Sequence, residues 1–436
     1  MSWKRNTFRS ASGFREIVVE DKALVYVELD GESRLVGRLW ARSRKDRESA
    51  TFEYDAAWLT HPDRFSLEPA LTLGPGPFHA SAGKPLFGAI GDSAPDRWGR
   101  LLMRRAERRR AQRDGQTPRT LREIDYLLMV DDETRQGALR FAVREAGPFL
   151  AEPMPARVPP LVDLPRLLSA AEHVLSDIDT DEDLRLLLAP GSSLGGARPK
   201  ASVRDRDGSL AIAKFPSEAD EFDAVVWEAV ALRLAAKAGI MAPVFRLEKA
   251  GDKSILLLRR FDRAGGNRRP FLSALSMLDA RDRETRSYLE FVDILRQYGA
   301  AAKPDMRELW RRIVFSILIS NTDDHLRNHG FLYAGPAGWR LSPVYDLNPV
   351  PVDIRPRVLS TAIDLNDATA SLELALEVAG YFELSQSEAR QIAVEVGRAT
   401  GQWRREAAKL GASQSEVGRM ESAFEHADLK AARAWA

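Results

Sequence analysis

Ser320-Asn321-Thr322-Asp323-Asp324-His325-Leu326-Arg327-Asn328 and, after a short apolar stretch, Leu341-Ser342-Pro343-Val344-Tyr345-Asp346-Leu347 decide how this chain is read. Asp323 and Asn328 stand five positions apart, and Asp346 adds a third oxygen-bearing side chain. Metal-assisted phosphoryl transfer asks for such a set. One carboxylate accepts the proton of the attacking hydroxyl, while an amide and a second carboxylate hold Mg²⁺ against the phosphates. His325 stands two residues after Asp323, where an imidazole can donate to a phosphate or merely order the loop. A lone Asp-x-x-x-x-Asn also fits a solvated loop whose Asp and Asn close turns. The flanking sequence has to decide.

Upstream, Asp305 followed by Glu308 reads as a helix N-terminus. Leu309, Trp310, Ile313, Val314, Phe315, Ile317 and Leu318 make that helix largely buried. Downstream, 330–333 and 339–341 flank a Gly-Pro turn and read as a hairpin, with Asp346 expected at the end of its second strand. A polar loop between a buried helix and a hairpin is a favoured place for a site.

A second chemical element lies earlier. In 191–200, Gly191, Gly195 and Gly196 allow close approach of backbone N–H groups to phosphate. It is not a Walker A loop, since no Gly-Lys-Ser/Thr follows at the required interval. Taken alone it reads as a flexible surface loop. However, a strand at 201–203, a turn at Asp207-Gly208 and a return strand 210–215 carrying Lys214 follow it. A Gly-rich loop and a strand lysine one hairpin apart is the layout of a kinase small lobe. Glu228, on a helix expected at 218–238, is placed to pair with Lys214. Strands at 245–247 and 254–261 lead to Phe261-Asp262-Arg263, which either offers backbone to an adenine or carries a structural ion pair.

The rest of the chain bounds the reading. It has 436 residues, a net charge of +1 and no cysteine. Those values suit a soluble globular protein of two or three domains in a reducing compartment, without disulfides or Cys-held metal. The start lacks the apolar core of a signal peptide and no run is long enough to span a bilayer, so a cytoplasmic location is expected. Residues 16–60 read as β structure with a turn at Asp30-Gly31, 56–59 as a short helix, and 71–95 as loop. From Asp96 to Arg113 eight arginines lie on an amphipathic helix, either a solvated face or a contact for an acidic partner or DNA phosphates. Thr120–Glu123, Ser385–Glu388 and Ser413–Glu416 read as capping boxes, and 165–189 as one amphipathic helix.

These motifs, in this order, resemble the HipA-type serine/threonine kinases, the toxin half of HipA–HipB toxin–antitoxin pairs. The resemblance rests on 321–328 with 341–347, the Gly-rich 191–200, Ala213-Lys214-Phe215-Pro216, Arg260-Phe261-Asp262-Arg263 and, in the N-terminal half, 91–100. Arg259-Arg260 and Arg198-Pro199 depart from the pairs common in the family at those places. The resemblance implies an α+β fold: a β-rich N-terminal domain followed by a protein-kinase-like bilobed body with a helical C-lobe. The expected boundaries are 1–147 for the N-terminal domain, 148–165 for a Pro-rich linker and 166–436 for the kinase domain. Within the last, the small β lobe spans about 190–262 and the helical lobe about 263–436.

The implied roles follow. Asp323, His325 and Asn328 are catalytic, and Asn328 and Asp346 are Mg²⁺ ligands. Ser193, Leu194, Gly195, Gly196, Ala197, Lys214, Arg259 and Phe261 bind ATP, and Ser193 is the implied autophosphorylation site, with the neighbouring Ser192 left open as the modified residue. The implied partners are a dimeric HipB-like helix-turn-helix antitoxin, with DNA reached only through it, and a protein substrate such as an aminoacyl-tRNA synthetase. A small-molecule phosphotransferase and a non-catalytic co-repressor remain open alternatives.

Overall fold

Asp30 and Gly31 both adopt positive φ, 50° and 81°, which is what a two-residue type I′ hairpin demands. They join strands Val19–Leu29 and Glu32–Arg44. Arg47–Tyr54 continues the antiparallel meander, with Pro77–His79 at one edge and Leu139–Ala142 at the other. The sheet is wider than the expected strands. Arg47–Tyr54 lies within the β region expected over 16–60, whereas the two edge strands are too short to carry a pattern. The computed structural model describes residues 19–44, 47–150, 158–188, 196 and 198–435. Ile17 and Val18, expected to open the first strand, lie outside these.

The chain divides into two compact units, Met1–Leu210 with Asp262–Leu272, and Ala211–Phe261 with Ser273–Ala436. In the first, Trp58, Trp98, Arg135 and, on the sheet itself, Phe52 and Phe141 are the largest fully buried side chains. Helix Arg97–Arg113 starts at Asp96, whose Oδ1 accepts from the Gly99 amide at 2.8 Å. The other oxygen of Asp96 takes the Lys200 ammonium at 2.5 Å, and Trp98 Nε1 donates to the Lys200 carbonyl at 3.0 Å. Both charges of this pair are buried. Within the unit, Asp96 and Trp98 of the 91–100 stretch thus anchor strand Lys200–Arg204.

The arginine run is largely spent inside the same unit. Arg105 bonds Asp177 and Asp179; Arg109 reaches Asp179 at 3.2 Å, Arg113 Asp181 at 3.0 Å and Arg110 Glu107 at 2.8 Å. The acidic partners sit where one helix over 165–189 was expected. There are two instead, Leu164–Leu175 and Asp181–Leu188, broken at Asp177, which is left-handed at φ 58°. The aspartates of that break are drawn to the arginines. Likewise Thr120–Glu123 is no capping box. The helix spans Glu123–Met129, the Arg122 amide donates to Asp125 at 2.9 Å, and Glu123 instead holds Arg100. Asp262 and Arg263 form an ion pair at 2.8 Å, and Asp262 also accepts from the Gly137 amide at 2.8 Å, so this pair is structural.

In the second unit, Lys253–Arg259 runs antiparallel between Ala211–Lys214 and Phe245–Ala250. Helix Ala224–Lys237 begins later than expected, at the cap Asp223, whose carboxylate accepts from Val225 and Val226. The remainder is helical. Trp403 stacks on Phe424 at 4.7 Å and Trp227 packs 6.1 Å from each, making the helical core. The capping boxes at Ser385 and Ser413 both form. The expected α+β class therefore holds, with a sheet-rich N-terminal region and a helical C-terminal part.

His426 caps the last helix, Ala427–Ala434. Its Nδ1 accepts from the Leu429 amide at 3.4 Å, and its Nε2 lies 3.2 Å from the Leu318 carbonyl. That is the neutral Nε2–H form. Burial, reinforced by the Arg357 charge, pulls its pKa down to about 4 from 6.5. A depressed folded pKa contributes stability above the unfolded value that is lost as pH falls from 6.5 toward 4. We expect about 2–3 kcal/mol of stability to vanish between pH 7 and 4.5. Denaturant titrations of the parent and His426→Gln check this, the pH-dependent loss being smaller by that amount in the variant.

Candidate active site

Helix Ala302–Leu318 delivers the polar loop. It starts three residues before Asp305, which is not its cap. Asp305 is buried and accepts from Arg340 Nε and Nη2 at 2.8 and 2.9 Å, clamping the hairpin Gly330–Tyr333/Trp339–Leu341 to the helix. The helix ends where Ser320 turns left-handed at φ 53°. The next residues, Asn321 and Thr322, are buried. Two bonds pin this loop to the segment carrying Asp346: the Asn348 amide donates to Asn321 Oδ1 at 3.1 Å, and the Tyr345 hydroxyl to the Arg327 carbonyl at 2.8 Å. Asp346 does not end the second strand, which stops at Leu341. It lies in the irregular stretch beyond, itself left-handed at φ 54°.

The two neighbouring carboxylates of the loop have opposite surroundings. Asp323 is half-exposed, and its carbonyl accepts from the Asn328 side-chain amide at 3.0 Å and the His325 amide at 2.9 Å. Asp324 is buried. Its Oδ2 accepts from the Tyr288 hydroxyl and from Ser316 Oγ at 2.9 Å, and Thr361 Oγ1 donates to its carbonyl at 2.7 Å. His329 Nε2 approaches Oδ1 to 2.9 Å without the alignment of a hydrogen bond. Burial pushes the Asp324 carboxyl up, but His329, Tyr288 and Ser316 outweigh it and hold it below the usual carboxylate range. The Tyr288 hydroxyl is correspondingly driven well above its ordinary range by burial and the Asp324 charge.

Lys214 ties the small sheet to Asp346. Its ammonium bonds Glu228 Oε1 at 2.7 Å and Oε2 at 2.8 Å, and it also bonds Asp346 Oδ1. The Asp346 amide donates to Glu228 Oε1 at 3.2 Å. Burial works against the charge of Lys214, but the Asp346 and Glu228 carboxylates outweigh it and hold the ammonium above the usual lysine range. The phenyl ring of Phe261 lies 5.7 Å from that of Tyr345. Arg259 is exposed at the end of its strand, its amide donating to the Val244 carbonyl at 2.9 Å.

Lys214, Glu228, Asp346, Asn328, Asp323 and Phe261 are thus linked through contacts within one unit. His325 is on the same loop, and its Nδ1 is buried with no hydrogen-bond partner. Gly196 is exposed, with φ 105°. Ser193, Leu194, Gly195 and Ala197 lie outside the described residues. Sequence reasoning passed over Asp324, Tyr288, Ser316 and His329. Two signals were available: a serine within an otherwise apolar helix face, and an Asp-Asp pair of which only one can face solvent.

The donor set fits a hard cation. Asn328 spends its N–H on the Asp323 carbonyl, which turns its Oδ1 to other use, and Asp346 offers a carboxylate. Among the described residues no group of three or more His, Cys, Asp or Glu gathers. Mg²⁺ is commonly held by one or two carboxylates together with substrate phosphates, and so needs no such cage.

Two family models match the chain: the HipA N-terminal domain over residues 27–128 and the HipA-like C-terminal domain over 192–403. The chain belongs to the HipA family. Among the relatives of this HipA-family chain, "Putative kinase Y4mE" of Sinorhizobium fredii is 26% identical over 345 residues, 71% of this chain and 75% of that protein. A Haemophilus influenzae protein named "Putative kinase" is 31% identical over 77 residues, 18% of this chain and 22% of its own. The fold is similar to a chain of the Shewanella oneidensis MR-1 toxin–antitoxin complex of HipA, HipB and its operator DNA. The TM-score is 0.62 at 16% identity, covering 95% of this chain and 96% of that one. Among the described residues no helix is long and apolar enough to cross a membrane.

Proposed function

We propose that this HipA-family chain is an ATP- and Mg²⁺-dependent serine/threonine protein kinase acting as the toxin of a toxin–antitoxin pair. The observation that carries the reading is the Lys214–Glu228 pair meeting Asp346, with Asp346 pinned beside the Asp323–Asn328 loop. Lys214 is held charged for the α/β-phosphates. Asp323, half-exposed, accepts the proton of the attacking hydroxyl. Asn328 and Asp346 would hold Mg²⁺, which supplies charge neutralisation on the phosphoryl group in transfer. In this reading Phe261 lies at the adenine end, and His325 donates to the γ-phosphate. The Shewanella complex contains HipB; the partner proposed for this chain is a HipB-like antitoxin acting as a dimer, and the substrate is a component of translation such as an aminoacyl-tRNA synthetase. A cytoplasmic location goes with these partners.

Ser193 is the self-modification site in this reading. A phosphoserine there adds about −1.5 to −2 charge, repels the ATP phosphates and ends activity. Incubation with Mg-ATP followed by mass spectrometry should place phosphate on Ser193, and Ser193→Asp should lose ATP binding in titration. An unmodified serine, or parental ATP affinity in Ser193→Asp, counts against self-inactivation.

A further inference from the structure

Arg355 was singled out by nothing in the sequence, yet its Nη1 lies 2.9 Å from Oδ1 of Asp323. The turn that carries it is anchored to the catalytic segment on both flanks. The Val350 amide donates to the Ser320 carbonyl at 3.2 Å, and Ser360 Oγ to the Thr322 carbonyl at 2.9 Å. Arg357 Nη2 donates to the Ile317 carbonyl at 3.0 Å, and its Nη1 bonds Asp428 at 2.6 Å. Inside the turn, the Ile354 and Arg355 amides both donate to the Pro351 carbonyl, at 3.0 and 3.2 Å. Asp353 is tied to Arg419 at 2.9 Å. The guanidinium is therefore brought to the carboxylate by a braced frame.

The pair has little to offer the fold. Both side chains are about half exposed, 51% for Arg355 and 46% for Asp323. Exposed pairs of this kind contribute about 0–1 kcal/mol. Its consequence is geometric. A carboxylate has two oxygens, and a guanidinium on Oδ1 fixes the rotamer and leaves Oδ2 to meet a hydroxyl. We propose that Arg355 is a positioning residue for the proton-accepting carboxylate, setting which oxygen of Asp323 faces the acceptor hydroxyl. The inference rests on the kinase reading above.

The test uses the full chain as the parent, Arg355→Ala and Arg355→Lys. Phosphate transfer from γ-labelled Mg-ATP to a Ser/Thr peptide library gives kcat and KM, and calorimetry gives Mg-ATP affinity separately. Arg355→Ala should lose about 2- to 5-fold in kcat, the population shift that an exposed pair of about 0–1 kcal/mol can impose on the carboxylate, with Mg-ATP affinity and thermal midpoint as in the parent. Arg355→Lys should recover part of the loss. Parental kcat in Arg355→Ala, or a loss matched by weakened ATP binding, overturns the inference while the kinase reading stands. A parent that binds Mg-ATP but transfers no phosphate overturns both.

Discussion

Asp323→Asn should fold as the parent does and lose phosphate transfer by about 10²- to 10⁴-fold, the range that a positioned acid–base group contributes. Its side chain is half-exposed and its partner is the exposed Arg355, so nothing in the core depends on its charge. The backbone carbonyl that holds Asn328 and the loop turn survives the substitution. The amide cannot take up the hydroxyl proton. Mg-ATP affinity should change little, because Lys214, Asn328 and Asp346 remain. Calorimetric binding with steady-state transfer on the same preparation checks both halves. A variant that transfers at the parental rate removes Asp323 from the chemistry.

Asp324→Ala should instead fail in folding. The carboxylate is buried against Tyr288, Ser316 and His329, and it faces the helix that carries the loop. Removing it strands a tyrosine hydroxyl and an imidazole in the core. Leaving buried hydrogen-bonding groups without their acceptor costs about 1–3 kcal/mol each, a large share of a domain's net stability. Asp324→Asn keeps one oxygen acceptor and should cost less. Denaturant unfolding of the three proteins separates the cases. Equal midpoints for parent and Asp324→Ala would mean the buried network does not hold the loop.

The contrast between adjacent aspartates shows what could be read from residues alone. The interval Asp323–Asn328, the later Asp346, Lys214 on its strand and Glu228 on the next helix were all legible, because spacing and type carry them. The two late capping boxes were legible for the same reason: each is a local pattern of four residues. Asp324, Tyr288 and Arg355 were not. Their roles come from contacts across long separations, Tyr288 to Asp324 and Arg355 to Asp323, and no local pattern encodes those. The arginine run over 97–113 misled in the opposite direction. It has the composition of a surface for phosphate, but its partners, Asp177, Asp179 and Asp181, sit about seventy residues away. Helix 165–189 failed because its apolar positions continue through a break that the left-handed Asp177 imposes. Asp305 failed as a cap because an arginine of the hairpin claims its carboxylate.

The proposed kinase function requires that the γ-phosphate of ATP reach a serine or threonine hydroxyl. Incubating the purified full chain with γ-labelled ATP and a Ser/Thr peptide library, with Mg²⁺ or with EDTA, tests it most directly. Phosphoamino-acid analysis of the products then identifies the acceptor. The account predicts phosphoserine or phosphothreonine that depends on Mg²⁺ and disappears in Asp323→Asn. Label confined to small-molecule hydroxyls, or no transfer by a chain that binds Mg-ATP, would contradict it.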